Sequence, residues 1–224
     1  MNLKNKTRLA NLIDEVHQHN ILIESREIFL HSNMDNDEDG GIDFKVANNF
    51  IKNMRLLESL SAELPIVIHQ HSIGGQIDDA IAIYDMIESC SCHVIIITHG
   101  IAASVGSMIP QAADLIITMP SCSWMIHEGE IEASNVTRKQ GYSYIDYVKG
   151  RQKHMMSIFV ERCAKKSNLF KDKTHLQIHN AIKKELDKKE DWWLSAEDAV
   201  QFGFCDGVYG SKEYPDIETI KNVC

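Results

Sequence analysis

The sequence predicts an α/β protein: a mostly parallel sheet covered by helices, with one long helix projecting from it. Three observations carry this. Apolar runs of strand length alternate with stretches of helical spacing from residue 21 to 127, the pattern of repeated β-α units. Residues 134–166 then carry few breakers and a mixed apolar stripe (Tyr144, Val148, Met155, Ile158, Phe159), which reads as one long helix. Finally, 224 residues with 44% hydrophobic and 25% charged side chains make one large domain with a full core. That composition excludes disorder, collagen and a dedicated coiled coil.

The elements follow in order. Residues 7–20 place Leu9, Leu12, Ile13 and Val16 at helical spacing, so the chain starts with an amphipathic helix. Residues 21–30 read as a strand, followed by an acidic loop at 35–41. In residues 44–62, Phe44, Ala47, Phe50, Ile51, Met54 and Leu57 share one helical face. Residues 65–69 form a strand and 76–89 a helix with Ile77, Ala80, Ile81, Tyr84 and Ile87 inward. The β-branched run 93–98 suits a strand buried on both faces. Residues 100–113 read as a turn and helix, and 115–118 and 124–126 as two strands. Residues 167–190 are Lys-rich and polar. Ser195 with Asp198 three residues on is a helix-start signature, and that helix should end near Gly203. Residues 204–209 read as a last short strand. The expected organisation is an N-terminal helical segment (1–20), an α/β head (21–131 with 191–224) and a handle region (132–190).

The net charge is −9, and it is unevenly spread. Residues 56–137 hold ten acids and no Lys or Arg. An acidic chain whose centre lacks cations is a poor nucleic-acid binder. The run 89–113 has only one proline and no charge until Asp114, but its His, Ser, Thr and Gln residues suit buried core rather than a membrane. Six cysteines stand without the paired spacing of a zinc site, and residues 1–20 do not read as a signal peptide. Reduced thiols in a cytoplasm are the expectation, with no metal and no cofactor.

Four local features bear on chemistry. Ser72-Ile-Gly74-Gly75-Gln76 joins a strand to a helix; paired glycines permit a sharp turn and expose amides at a helix start. Gly100-Ile-Ala-Ala-Ser104-Val105-Gly106 puts a hydroxyl at another helix start, flanked by free amides, where Ser104 is either a nucleophile or a helix cap. His127 ends an apolar strand. Asp191 precedes a capped helix. Each alone has a structural explanation. Together they supply a serine, a base and an orienting acid, in the order Ser–His–Asp.

These segments resemble the proteolytic subunit of Clp protease, a serine peptidase family with the ClpP/crotonase-like fold. The matching pieces are residues 26–30, 72–75 with 82–85, 100–106, 125–127 and 191–206. The resemblance implies Ser104 as nucleophile, His127 as general base and Asp191 as its orienting acid. It implies an oxyanion hole from the amides of Gly75 and Val105. It also implies a homo-oligomer of two stacked heptameric rings joined by handle helices, polypeptide substrates, and an AAA+ unfoldase as possible partner. Related subunits occur in phages, and the sequence would suit such a member. Two rivals are a crotonase-fold enzyme acting on an acyl thioester and a catalytically silent ring subunit.

The chain departs from the family pattern in several places. Ile73 stands where the family usually has Pro. Glu128-Gly129 follow the histidine in place of Gln-Pro, and Glu128, Glu130 and Glu132 bring negative charge to that loop. Asp191 lies 64 positions after His127, more than expected, so Asp187 is the fallback acid. The usually aromatic unfoldase pocket aligns with Val67, His69 and Ser89, a poor match for large apolar anchors. The acids of the central window suggest a chamber that favours basic substrates.

Other signals carry less. Residues 35–46 imitate an EF-hand, but Val46 stands where a bidentate Glu is needed. His69 and His71 on one strand face could form a metal pair but lack a third ligand. Trp192 and Trp193 read as core packing. Tyr142, Tyr144 and Tyr147 fit either a handle interface or ordinary helix packing.

Overall fold

The structure is a computed structural model that describes residues 3–31, 41–129 and 135–223. Residues 35–40, the first half of the EF-hand-like stretch, lie outside these residues, as do Glu130 and Glu132.

Eight strands form one sheet, β1 (Ile21–Leu22), β2 (Glu27–His31), β3 (Ile66–Ser72), β4 (Val94–Ala103), β5 (Leu115–Thr118), β6 (Ser123–Ile126), β7 (Trp192–Leu194) and β8 (Gly207–Val208). The main path runs β1-β2-β3-β4-β5-β8, while β6 pairs with the far end of β4 and with β7. All pairs are parallel except β1 with β2 and β6 with β7. β4 is central, and Ile95, Ile96 and Ile97 are buried on both faces, as its unbroken β-branched run requires.

The two faces are covered differently. One carries helices α2 (Phe44–Leu60), α3 (Ile77–Glu88) and the second half of α5 (Arg138–Lys166), packed through Phe50, Met54, Leu57, Ile83 and Phe159. The other carries Val67, Ile95, Ile97, Leu115 and Ile117 under Tyr214 and Ile220, the latter on the short helix α8 (Ile217–Lys221). The uncharged run at 89–113 therefore lies in the sheet core. Among the described residues no helix is long and apolar enough to cross a membrane.

Several elements depart from the sequence reading. The strand expected over 21–30 is two antiparallel pieces, because Arg26 takes φ 57 and turns the chain. Its guanidinium then donates to the carbonyls of Leu57, Ser61 and Pro65 at 2.9–3.1 Å, stapling the turn to the end of α2. β4 runs on through Ala103, so the turn expected at Gly100 is still strand. Phe44 is 61% exposed and not on the buried face of α2. On α1 (Leu3–His19), Leu9 and Ile13 are exposed too, so the apolar stripe there does not meet the core.

The polar stretch after α5 contains a helix, α6 (His175–Lys189), opened by a reciprocal capping box between Thr174 and Gln177. It buries Ile178, Ile182 and Leu186 at i, i+4, i+8 against α5. Its lysines form the solvated face. The first half of α5 projects into solvent, and burial begins only at Met155. A buried ion pair anchors the helix to the head: Arg162 donates to Asp206 at 2.5 Å, and Asp206 also accepts from the Ile116 amide at 2.8 Å. Helix α7 (Ala196–Phe202) starts at the Ser195–Asp198 capping box and ends at Gly203 in the left-handed conformation.

Candidate active site

Strand register brings the candidate residues together. Ala103 of β4 pairs with Met125 of β6, so Ser104 emerges beside the end of β6, where His127 follows Ile126. Ile126 pairs with Trp192 of the antiparallel β7, which sets Asp191 beside His127. Three separate chain segments thus deliver three side chains to one point.

Their geometry is close. Ser104 Oγ lies 2.7 Å from His127 Nε2. His127 Nδ1 lies 3.5 Å from Asp191 Oδ1. The fallback acid, Asp187, is held by Lys183 in the same helix. Ser104 precedes helix α4 (Val105–Met108) but makes no cap hydrogen bond, so the generic helix-cap role is not the one it adopts. Its backbone sits at φ 57, ψ −131, a region that costs a non-glycine residue roughly 1–3 kcal/mol and is typically held at functional sites. Two bonds hold the strained turn: the Ser104 amide donates to the Met125 carbonyl at 2.9 Å, and Ser107 Oγ donates to the Ser104 carbonyl at 2.6 Å.

The glycine turn is built around the same hydroxyl. Gly74 has φ 110, and a Cβ there would stand 2.6 Å from Ser104 Cβ and 3.0 Å from its Oγ. A Cβ on Gly75, at φ 146, would stand 2.3 Å from both N and O of Ile42. Only glycine fits either place. Among the described residues the Gly75 and Val105 amides have no acceptor, which leaves both free to meet an anion.

Beside His127 opens a cavity of about 170 Å³, floored by Ile126, Met155, Phe159 and Leu186. Gln152 of α5 donates to the Glu128 carbonyl at 2.8 Å and closes its wall. Sequence reading missed this pocket because α6, which supplies Leu186, was hidden among lysines. The Ile178–Ile182–Leu186 spacing was the available signal. Of the loop acids, Glu128 is paired with Lys183 at 3.0 Å. Trp192 is buried edge-on against Phe202, 4.8 Å between ring centres, but Trp193 is 52% exposed and is not core.

The expected His69–His71 pair does not converge. His69 turns to His99 (3.1 Å, Nδ1 to Nε2) and to Glu27 (3.3 Å), and His71 is exposed. Among the described residues no group of three or more His, Cys, Asp or Glu could hold a metal. Glu27 is pulled down to about 2 by the His69 hydrogen bond and by Lys221. His99 is pushed down to about 4 by burial, then by the neighbouring His69, His31 and His71.

The sequence profile described as Clp protease matches residues 13–212. The chain belongs to the Clp protease family. It is a serine peptidase of the Clp proteolytic-subunit type, with the ClpP/crotonase-like α/β fold. The chain is 29% identical to an ATP-dependent Clp protease proteolytic subunit 1 of Chlamydia muridarum, over 90% of this chain and 92% of that one. It is 28% identical to the proteolytic subunit 2 of Pseudomonas aeruginosa, over 77% and 79%. A solved structure of a ClpP1 mutant from Listeria monocytogenes shares the fold, with a TM-score of 0.67 at 22% identity, covering 85% of this chain and 95% of that one. Members of this family work as oligomeric rings with Clp ATPases.

Proposed function

We propose that this Clp protease subunit cleaves peptide bonds through an acyl-enzyme on Ser104. The observation that carries this is the contact of Ser104 Oγ with His127 Nε2 at 2.7 Å, at a strained turn beside two free amides. His127 takes the Ser104 proton as Oγ attacks the carbonyl carbon. The Gly75 and Val105 amides receive the oxyanion. His127 then protonates the leaving amine, and water repeats the sequence to release the acid. Asp191 keeps the Nδ1 proton of His127 in place, which fixes the tautomer that accepts at Nε2. No cofactor enters these steps. Hydrolysis of a fluorogenic peptide by the wild type, and its loss in Ser104→Ala with the melting temperature preserved, tests the assignment.

The assembly we favour is two stacked heptameric rings joined through α5. Its first half is solvent-exposed and presents Tyr142, Tyr144 and Tyr147, which suits a surface awaiting a second copy. Sedimentation mass tests the number. We place the protein in a reducing cytoplasm, supported by five described cysteines that are all free.

Unfoldase docking is proposed to differ from the standard mode. Val67 is not at the surface, as the alignment expected, but buried beneath Tyr214 and Ile220. His69 is occupied by His99 and Glu27, and Ser89 is small and polar. The aligned positions themselves offer no large apolar anchor, and the aromatic surface beside them is the half-buried Phe29, stacked on His69 with 5.3 Å between ring centres. Efficient ATP-dependent degradation with a standard Clp ATPase would contradict this.

A further inference from the structure

We infer that Gln70 is a positioning residue for the oxyanion hole: its buried amide holds the first turn of α4, and with it the Val105 amide, in place. This rests on the serine-peptidase reading above. The helix needs outside support. α4 has four residues, far below the length at which a helix sustains itself. Helix geometry would give the buried Gly106 carbonyl a donor four residues on, but that residue is Pro110, which has no N–H. The Ile109 amide is taken by the Val105 carbonyl instead. A buried carbonyl without a donor is costly.

Gln70 supplies that donor. It stands on β3, fully buried, and its Nε2 donates to the Gly106 carbonyl at 2.5 Å. Among the described residues its Oε1 is buried without a partner. Burying an unpaired amide oxygen costs free energy, so an apolar side chain would serve packing at this place at least as well. The bond to Gly106 is what the amide adds. The same strand holds the other turn. Ser72, two positions on, accepts from the Gly74 amide at 3.1 Å. A Cβ on Gly106 would stand 2.9 Å from the Ser72 carbonyl, so α4 rests directly on the end of β3. β3 thus locates both turns that carry the oxyanion amides, Gly75 through Ser72 and Val105 through Gln70. Such donors act by being fixed before the charge develops.

Gln70→Met roughly keeps the volume and removes the donor. On a neutral fluorogenic peptide its kcat is expected to fall about 10- to 100-fold with KM within about twofold, because the bond serves the transition state rather than substrate binding. The melting temperature should move by less than about 4 °C, since removal of the unpaired oxygen offsets the lost bond. Met108 and Ile109 keep α-helical dihedrals, so Pro110→Ala directs a new N–H at the Gly106 carbonyl. Gln70→Met/Pro110→Ala should therefore regain most of the lost kcat, while Pro110→Ala alone should change it less than about twofold. Gln70→Asn, one methylene short of Gly106, should lose kcat as Gln70→Met does, and it takes that variant's place if Gln70→Met does not fold. A folded Gln70→Met or Gln70→Asn with more than half the wild-type kcat, or a double variant no faster than Gln70→Met, overturns the inference and leaves the peptidase reading standing. A wild type that neither cleaves the peptide nor takes a fluorophosphonate on Ser104 overturns the two together.

Discussion

Gly74→Ala is the sharpest test of how the glycine turn serves the nucleophile. A Cβ at this position would lie 2.6 Å from Ser104 Cβ, whereas an ordinary contact begins at 3.4 Å. Relief therefore needs a displacement of about 0.8 Å, shared between the turn and Ser104. The Ala103 carbonyl, 3.0 Å from the same Cβ, blocks the alternative of moving the alanine along the strand. A displacement near 1 Å at a reacting group costs about 10²-fold in rate. The positive φ adds roughly 1–2 kcal/mol of backbone strain. For a chain of this size that lowers the melting temperature by about 2–8 °C. The assay is kcat on a neutral fluorogenic peptide, with thermal melting and sedimentation to show that fold and assembly persist. A folded Gly74→Ala variant that retains more than half of the wild-type kcat would refute the reasoning, because it would mean the turn does not locate Ser104.

Other outcomes follow from the same geometry. Asp191→Asn should lower kcat about 10³- to 10⁴-fold by releasing the His127 tautomer, while Asp187→Asn should stay within about twofold; steady-state kinetics of the pair decide which acid serves. Arg162→Leu leaves Asp206 with only Lys166, at 2.8 Å, and the Ile116 amide, and should cost about 1.5–3 kcal/mol, read as a melting temperature lower by about 3–12 °C. Stability should fall on acidification in two stages. The unfolded chain protonates its histidine near 6.5, whereas folded His99 resists until about 4, so stability drops between these values, by about 2 kcal/mol after allowance for its partial exposure. Glu27, held at about 2 against an ordinary 4.5, contributes stability above 4.5 that is lost as pH falls toward 2. Denaturant titrations of wild type and His99→Phe across pH 7 to 4 should show a shallower fall in the variant.

Much of the fold was legible because periodicity is a long-range signal. The β-branched run at 93–98 could only be a buried strand, and the paired glycines at 74–75 marked a strand–helix turn. Ser104 and His127 were legible for a related reason: each ends a strand beside a small-residue turn, where a side chain is exposed to a cleft. Asp191 was harder, because it is placed by β7, a three-residue strand too short to show alternation. The pocket was harder still. Its floor comes from Ile126, Met155, Phe159 and Leu186, spread over three elements, and its one contribution from α6 sat among lysines. The Arg26 turn was invisible because its cause is tertiary: four guanidinium contacts to carbonyls between residues 57 and 65. The long interval from His127 to Asp191 turned out to hold α6, a packed helix rather than a loose insertion.

The most direct measurement is covalent labelling of the full chain with a fluorophosphonate probe, followed by intact mass and peptide mapping. One adduct per subunit on Ser104, absent in Ser104→Ala and slowed in Asp191→Asn, is the expected result. A folded, assembled protein that takes up no probe, or takes it on another residue, would contradict the assignment of Ser104 as the nucleophile.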